Sequence, residues 1–283
     1  MKIFTPPGAS HFSGTFSRAA ATVATDVKDY LDRVGGKKFF LEDSPEFAEL
    51  RDCMIREAER YVFLSATTYA ASLRALRASA VSWSVVGLYY STFFAAKALL
   101  EMHGGWVDGP SRWLEASKSQ PGSLELTFYK TDHPYLTGLK NKGSHKGFWR
   151  IFYQAIRPLY SYVKAKTAFA LHPVHSSATW LIDNRNDFNY KPMHALNLMQ
   201  DFAARFNAAN LPDCFPGDLK VFLNVASAMQ EIVHDIRQAN HLAGDDFHGV
   251  PADLNDAVDR LVRSNREPGL DVFSANQIAS FTI

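Results

Sequence analysis

The sequence predicts an all-α fold, and three observations carry that expectation. Trp83 to Glu101 reads WSVVGLYYSTFFAAKALLE, and between Val85 and Leu100 its only clearly polar residues are Ser91, Thr92 and Lys97. A helix that is apolar on nearly every face must be covered on nearly every face, so this is a central, buried helix. From Ser44 onward a helical pattern runs with few breakers, and strand-prone stretches are scarce, the clearest being Leu124 to Tyr129. The chain has 283 residues, 47% of them hydrophobic, which is enough for a sizeable core in one large domain.

Taken in order, Pro6, Pro7 and Gly8 oppose an early helix, while Thr25 to Val34 suits a short one that Gly35-Gly36 breaks. Lys37-Lys38 after those glycines do not make a phosphate loop, because the spaced glycine and the hydroxyl after lysine are both missing. Residues 1–43 therefore read as a weakly patterned N-terminal segment. Ser44-Pro45 is a helix start, with serine placed to cap and proline in the first turn. Phe47, Leu50, Met54, Ala58, Tyr61 and Val62 continue the pattern into an alanine-rich stretch, as one long helix or two in series. The Trp83 helix then offers two stripes at helical spacing: Tyr89, Phe93, Ala96 and Leu100, and beside them Tyr90, Phe94, Lys97 and Glu101. Lys97 falls inside the run of about 18 or more apolar residues that a membrane span needs, so a soluble helix is the better reading. Gly104-Gly105 ends it.

Residues 107–147 contain Pro110, Pro121 and Pro134 among several glycines, and read as a long loop insertion at the surface. Helical pattern resumes at Phe148, with Pro158 marking a start or a kink. After the break at His172-Pro173, with Ser176 or Ser177 available as a cap, a helix carries Trp180, Leu181, Arg185 and Phe188. Lys191-Pro192 separates it from another, whose Leu196, Met199, Phe202 and Phe206 form a predicted core stripe. Residues 44–209 thus make the bundle. Residues 210–283 add helical stretches at Leu219 to Leu242 and Ala252 to Arg263, and a tail packed on the bundle.

The net charge of +1 gives no global basic field and argues against sequence-blind binding to duplex DNA. Cys53 and Cys214 are the only cysteines and lack paired metal spacing, so neither a disulfide framework nor a zinc site is indicated. The N-terminal MKIFTPPGASHFSG has no continuous apolar core of the signal-peptide kind. A reducing cytoplasm fits best, no membrane partner is expected, and nothing points to a cofactor.

Arg185 is the most informative single position. Leu181 and Phe188 place it on a largely apolar stripe, and a guanidinium does not lose its proton to escape burial. It must therefore be paired with a carboxylate or phosphate, or lie at an opening in the core. Asp183 and Asp187 fall on other faces, whereas Asn189 shares its own. The plain alternative is a structural arginine tying two helices together. His234, Arg237 and His241 share a second helical face, and read as a solvated polar face rather than a metal site. His172 and His175 sit just before the Arg185 helix and are a further lead toward it. FWRIFYQAIRPLYSYVK interleaves aromatic rings with Arg150 and Arg157, a pattern that suits single-stranded RNA or, more plainly, a core face backed by charge.

At these residues the chain resembles the HEPN superfamily of helical, nucleic-acid-associated domains in prokaryotic toxin, defence and RNA-processing systems. Three pieces carry the resemblance, in order and over Ser44 to Phe206. They are Tyr89-Tyr90-Ser91-Thr92-Phe93-Phe94-Ala95-Ala96-Lys97, the histidine-containing loop Gly143-Ser144-His145-Lys146-Gly147-Phe148, and Arg185-Asn186 with Tyr190. The family's ribonucleases place a histidine four to six residues beyond the arginine and its polar neighbour; here Tyr190 stands in that place. Tyrosine, with a reference pKa of about 10, exchanges protons poorly near neutrality, although it can orient a phosphate or stack on a base. His145 on the loop is the first choice for a donated histidine.

The resemblance implies an HEPN-like bundle that works as a homodimer, with Arg185, Asn186, Tyr190 and His145 as the catalytic candidates at a shared groove. Lys97, Lys146 and Arg150 are the basic residues expected to meet nucleic acid. The function implied is RNA- or nucleotide-directed, of bacterial defence or toxin type, as a metal-independent ribonuclease with an altered site. The competing reading is an inactive HEPN-like binding or scaffold module working through a partner protein, such as a nucleotidyltransferase.

Overall fold

A computed structural model describes residues 24–35, 39–41, 44–108, 112–120, 123–129, 136–137, 144–156, 179–205 and 217–239. Two antiparallel helices form its frame. Ser44 caps the first, α2 (Pro45–Arg77), by accepting a hydrogen bond from the Phe47 amide at 3.2 Å, with Pro45 in the first turn as the sequence predicts. The second, α3 (Val81–Met102), follows a turn in which Ser79 takes φ 60°. The run from Ser44 through the alanine-rich stretch is thus one long helix, and the helix carrying Trp83 is the next. A short helix, α1 (Val27–Arg33), packs on α2, with Asp26 accepting from the Asp29 amide as its cap.

Small residues let α2 and α3 approach closely. The hydroxyls of Ser65 and Ser91 each donate to the other's carbonyl, at 2.7 and 2.9 Å, and the Ser84 hydroxyl donates to the Ser72 carbonyl at 2.9 Å. With their hydrogens used in this way, the Ser65 and Ser91 hydroxyls accept from the side-chain amide of Gln230. Gly87 belongs to the same crossing. A Cβ there would clash with the Ser72 hydroxyl and meet Ser72 Cβ at 3.3 Å, so the helix cost of glycine is offset by the close approach it permits.

Around this pair lie α4 (Ser144–Ile156), α5 (Trp180–Tyr190), α6 (Pro192–Arg205) and α7 (Gly217–Ala239). The central helix α3 touches α2, α5, α6 and α7, as its all-round apolar sequence requires. The class is all-α, as predicted, and no helix among the described residues is long and apolar enough to cross a membrane.

The 107–147 stretch differs from the predicted loop. Short strands β2 (Gly105–Asp108), β3 (Arg112–Gln120) and β4 (Ser123–Tyr129) run antiparallel, and β1 (Phe39–Leu41) joins at the edge in the order β1-β4-β3-β2. The β-prone Leu124 to Tyr129 is β4. The alternation of β3, RWLEASKSQ, is weak in sequence, and its pairing with β4 (Leu114 with Phe128, Ala116 with Leu126) supplies what local propensity does not. Trp106 anchors the sheet to the bundle: its ring is buried and its indole N–H donates to Glu57 Oε1 at 3.2 Å.

Two further expectations are corrected. The predicted core stripe of α6 is rotated: Leu198 and Phe202 are buried, while Leu196 and Met199 are exposed. Phe206 lies outside the described residues. Arg237, expected on a solvated face, is 1% exposed and makes a two-pronged ion pair with Glu59 at 2.7 and 2.8 Å. That partner stands 178 positions away in the chain, beyond the reach of helical spacing. His234 is half-buried on α7, while His172, His175, His241, the cap residues Ser176 and Ser177, Pro158 and the Ala252 to Arg263 stretch lie outside the described residues.

Candidate functional site

The site is built where α3, α4 and α5 meet. Tyr89 and Tyr90 are adjacent on α3, so their hydroxyls leave the helix in different directions, and each collects its own partners. Tyr89 is wholly buried, and its hydroxyl lies 2.7 Å from His145 Nδ1 and 3.1 Å from the Trp149 indole nitrogen, both on α4. Tyr90 is half-buried, and its hydroxyl oxygen accepts from an Arg185 terminal nitrogen. Arg185 NH1 donates to Asn186 Oδ1 at 2.8 Å. The guanidinium carbon stands 5.2 and 5.1 Å from the Tyr89 and Tyr90 ring centres, within range of cation–π attraction to both.

Arg185 is 9% exposed, so the expected burial is met, but its partners are two neutral groups and two rings. Among the described residues no carboxylate comes within ion-pair distance of it. The nearby acids are engaged elsewhere: Asp183 with Lys146 at 2.6 Å, and Asp187 with Lys191 at 2.7 Å. Its Nε–H is buried without a hydrogen-bond partner. A buried cation held by neutral partners keeps an uncompensated attraction for anions.

His145 stands in the first turn of α4, where the sequence suggests a loop. Its ring stacks on Phe93 at 4.5 Å between centroids and meets the Tyr90 ring nearly edge-on at 6.1 Å. Burial lowers its pKa, and the nearby Arg185 and Lys97 charges lower it further, so the imidazole is neutral at neutral pH. Burial raises the pKa of the Tyr89 hydroxyl, against the opposing pull of Trp149 and Arg185, and keeps it protonated.

Of the other sequence candidates, Asn186 is in the cluster and half-buried. Tyr190 is 71% exposed, at the last turn of α5, and shares none of the cluster's hydrogen bonds. Asn189, on the expected face, is exposed and leaves Arg185 to Asn186. Lys97 donates to the Tyr61 hydroxyl and lies 4.0 Å from that ring's centre. Lys146 is tied to Asp183, and Arg150 is half-buried further along α4. Sequence reasoning left Tyr89, Tyr90 and Trp149 out of the site. The available signal was two adjacent phenols inside an otherwise apolar helix, since buried tyrosine and tryptophan polar atoms need partners.

No family model matches the sequence, and neither a curated protein nor a solved structure matches it.

A second group of buried titratable residues lies at the other end of α3. Glu101 is buried with neither carboxylate oxygen hydrogen-bonded, and burial, reinforced by Glu57, raises its pKa well above the usual carboxyl range, against Lys97 and Arg60. His103 Nδ1 donates to the Leu99 carbonyl at 2.6 Å, and burial lowers its pKa to about 4. Among the described residues no three His, Cys, Asp or Glu side chains gather as a metal site would require.

Proposed function

We propose that this chain is an RNA- or nucleotide-directed HEPN-like protein of bacterial defence or toxin type, in which Arg185 attracts the phosphate of the nucleic acid. The observation that carries the reading is the buried Arg185 cation, held by Tyr90 and Asn186 with no carboxylate beside it among the described residues. A purely structural arginine in the same protein, Arg237, has a carboxylate. The order of the Tyr89-Tyr90, His145 and Arg185-Asn186 pieces supports the family resemblance, and their meeting at one place is what a shared site requires.

The test is incubation of the purified protein with mixed single-stranded RNA and tRNA in chelator, beside Arg185→Ala. Metal-independent cleavage lost in that variant is the expected result for the ribonuclease form of the reading. RNA binding that is equal in the wild type and the variant would remove Arg185 from the site.

One observation favours the second reading, a binding module that does not cleave. Tyr190, which stands where the resemblance would place the histidine, is exposed and outside the cluster. Under that reading RNA is bound with Arg185 dependence and remains intact. Pairing with a second copy belongs to both readings. Tyr190 at the end of α5 and Met193, Leu196 and Met199 on α6 are large apolar side chains left exposed, and exposed apolar patches mark interaction surfaces. Sedimentation of the wild type against Met193→Glu tests it: a dimer that falls to monomer supports the pairing, and a monomer in both removes it.

A further inference from the structure

We infer that the Arg185 cluster is a donor-only receptor for an oxyanion, in which His145 presents Nε2–H to the ligand as a hydrogen-bond donor and does not act as a base. The inference deepens the phosphate reading above and rests on it for the choice of ligand. It follows from the direction of each hydrogen bond.

Trp149 Nε1 can only donate, so at 3.1 Å the Tyr89 oxygen accepts from it. Tyr89 is fully buried, and its other hydrogen-bond neighbour is His145 Nδ1, at 2.7 Å. The one hydroxyl hydrogen of Tyr89 therefore goes to Nδ1. A neutral imidazole that accepts at Nδ1 carries its proton at Nε2. The chain of bonds runs one way, from Trp149 through Tyr89 to His145, and each accepted bond strengthens the next donation.

The same reasoning applies to Arg185, whose guanidinium has no acceptor. It donates to Tyr90 and to Asn186, so the Tyr90 hydroxyl hydrogen and the Asn186 amide hydrogens remain, and no acceptor among the described residues takes them. The Asn186 orientation is settled too, because its oxygen must be the atom facing Arg185. Tyr90, Asn186 and His145 are half-buried, which leaves each side chain a surface for a ligand to reach, while Arg185 is buried.

Three half-buried donors thus remain beside the buried Arg185 Nε–H: Tyr90 O–H, Asn186 Nδ2–H and His145 Nε2–H. They belong to side chains grouped around a cation that has no carboxylate within ion-pair distance among the described residues. The Tyr90 and His145 rings are in edge contact, with centroids 6.1 Å apart, and Tyr90 and Asn186 are both bonded to Arg185. The positive charges of Arg185 and Lys97 both oppose a second proton on the His145 ring. The unprotonated oxygens of a phosphate only accept, and so suit these three donors. A group that must donate, such as an ammonium, satisfies none.

The experiment is nitrogen-15 and proton NMR of the full chain with labelled histidine, at neutral pH, titrated with inorganic phosphate. The expected spectrum has a pyridine-type Nδ1 and a protonated, pyrrole-type Nε2 for His145, assigned by its loss in His145→Ala. Phosphate should shift the Nε2–H resonance. His145→Ala should weaken phosphate binding about tenfold or more, the loss of one hydrogen bond to a charged group. His145→Gln, whose amide can donate from the Nε2 position, should recover most of it. A resting Nδ1–H tautomer, an imidazolium at neutral pH, an unchanged phosphate affinity in His145→Ala, or no phosphate binding at all overturns the proposal. Phosphate binding with the expected tautomer, in a protein that ignores RNA, upholds the receptor and removes the RNA reading alone.

Discussion

Arg237 and Arg185 are both buried arginines on helices packed against α3, yet they are held in opposite ways. Arg237 meets the Glu59 carboxylate with two parallel hydrogen bonds, and both side chains are almost fully enclosed. Arg185 has an amide, a phenol and two aromatic faces. In the first, charge is cancelled inside the protein, and nothing outside is needed. In the second, the charge is buried with no carboxylate beside it among the described residues, and the groups around it are half-buried. The difference separates an arginine paired inside the protein from the one to which we assign an anion in the proposal above.

The largest expected effect breaks the first of these sites. Glu59→Ala leaves a buried guanidinium without its carboxylate and should cost about 3–5 kcal/mol of stability, read from the urea midpoint. Arg185→Met should change stability by no more than about 1 kcal/mol in either direction, because removing an uncompensated buried charge offsets the lost cation–π and hydrogen-bond contacts. Equal losses in the two variants would erase the distinction between the arginines.

The frame that holds both sites is tested next. Gly87→Ala drives a methyl into Ser72 and should cost about 1–3 kcal/mol, the usual range for overpacking. Adding Ser72→Ala removes the hydroxyl and should recover part of that loss, with a tight Cβ contact remaining. Additive effects of the two substitutions would show that they do not meet.

Glu101 sharpens the comparison from the acidic side, as a buried carboxyl with no hydrogen-bond partner. Its folded-state pKa is raised, mainly by burial. The stability it contributes is therefore fully present below the unfolded carboxyl pKa of about 4.3 and is lost as pH rises toward the folded value. Glu101→Gln should flatten this decline above about pH 4, with the variant gaining on the wild type as pH rises. A parallel pair of stability curves would mean that Glu101 ionises in the folded protein as it does in the unfolded chain.

The smallest effect is expected at Tyr190. With 71% of its surface exposed and no bond to the cluster, Tyr190→Phe should alter stability by less than about 0.5 kcal/mol. It should also leave phosphate binding unchanged, which a phosphate titration reads directly. A large loss of binding would bring Tyr190 into the site.

Much of the fold was legible in local pattern. The Ser44-Pro45 start, the short helix near Val27, the all-round burial of the helix carrying Tyr89 and the break before Pro192 follow from periodicity, capping and breakers, which act over a few residues. The sheet was less legible, since a strand such as β3 owes its state to a partner strand. The rotation of α6 was missed because Leu196, Leu198, Met199 and Phe202 allow more than one apolar face, and the choice of face belongs to whatever packs against it.

The site divides along the same line. The sequence by itself determined that Arg185 shares a largely apolar helix face with Leu181 and Phe188, so that its guanidinium must find partners or lie at an opening in the core. It also determined that Tyr89 and Tyr90 needed partners. Only the tertiary structure decided who those partners are. Trp149 stands 60 positions from Tyr89, and Arg185 stands 95 from Tyr90. Helical spacing carries information across one turn, whereas hydrogen-bond direction, and with it the proton on His145, is set by which donors the packed helices bring together.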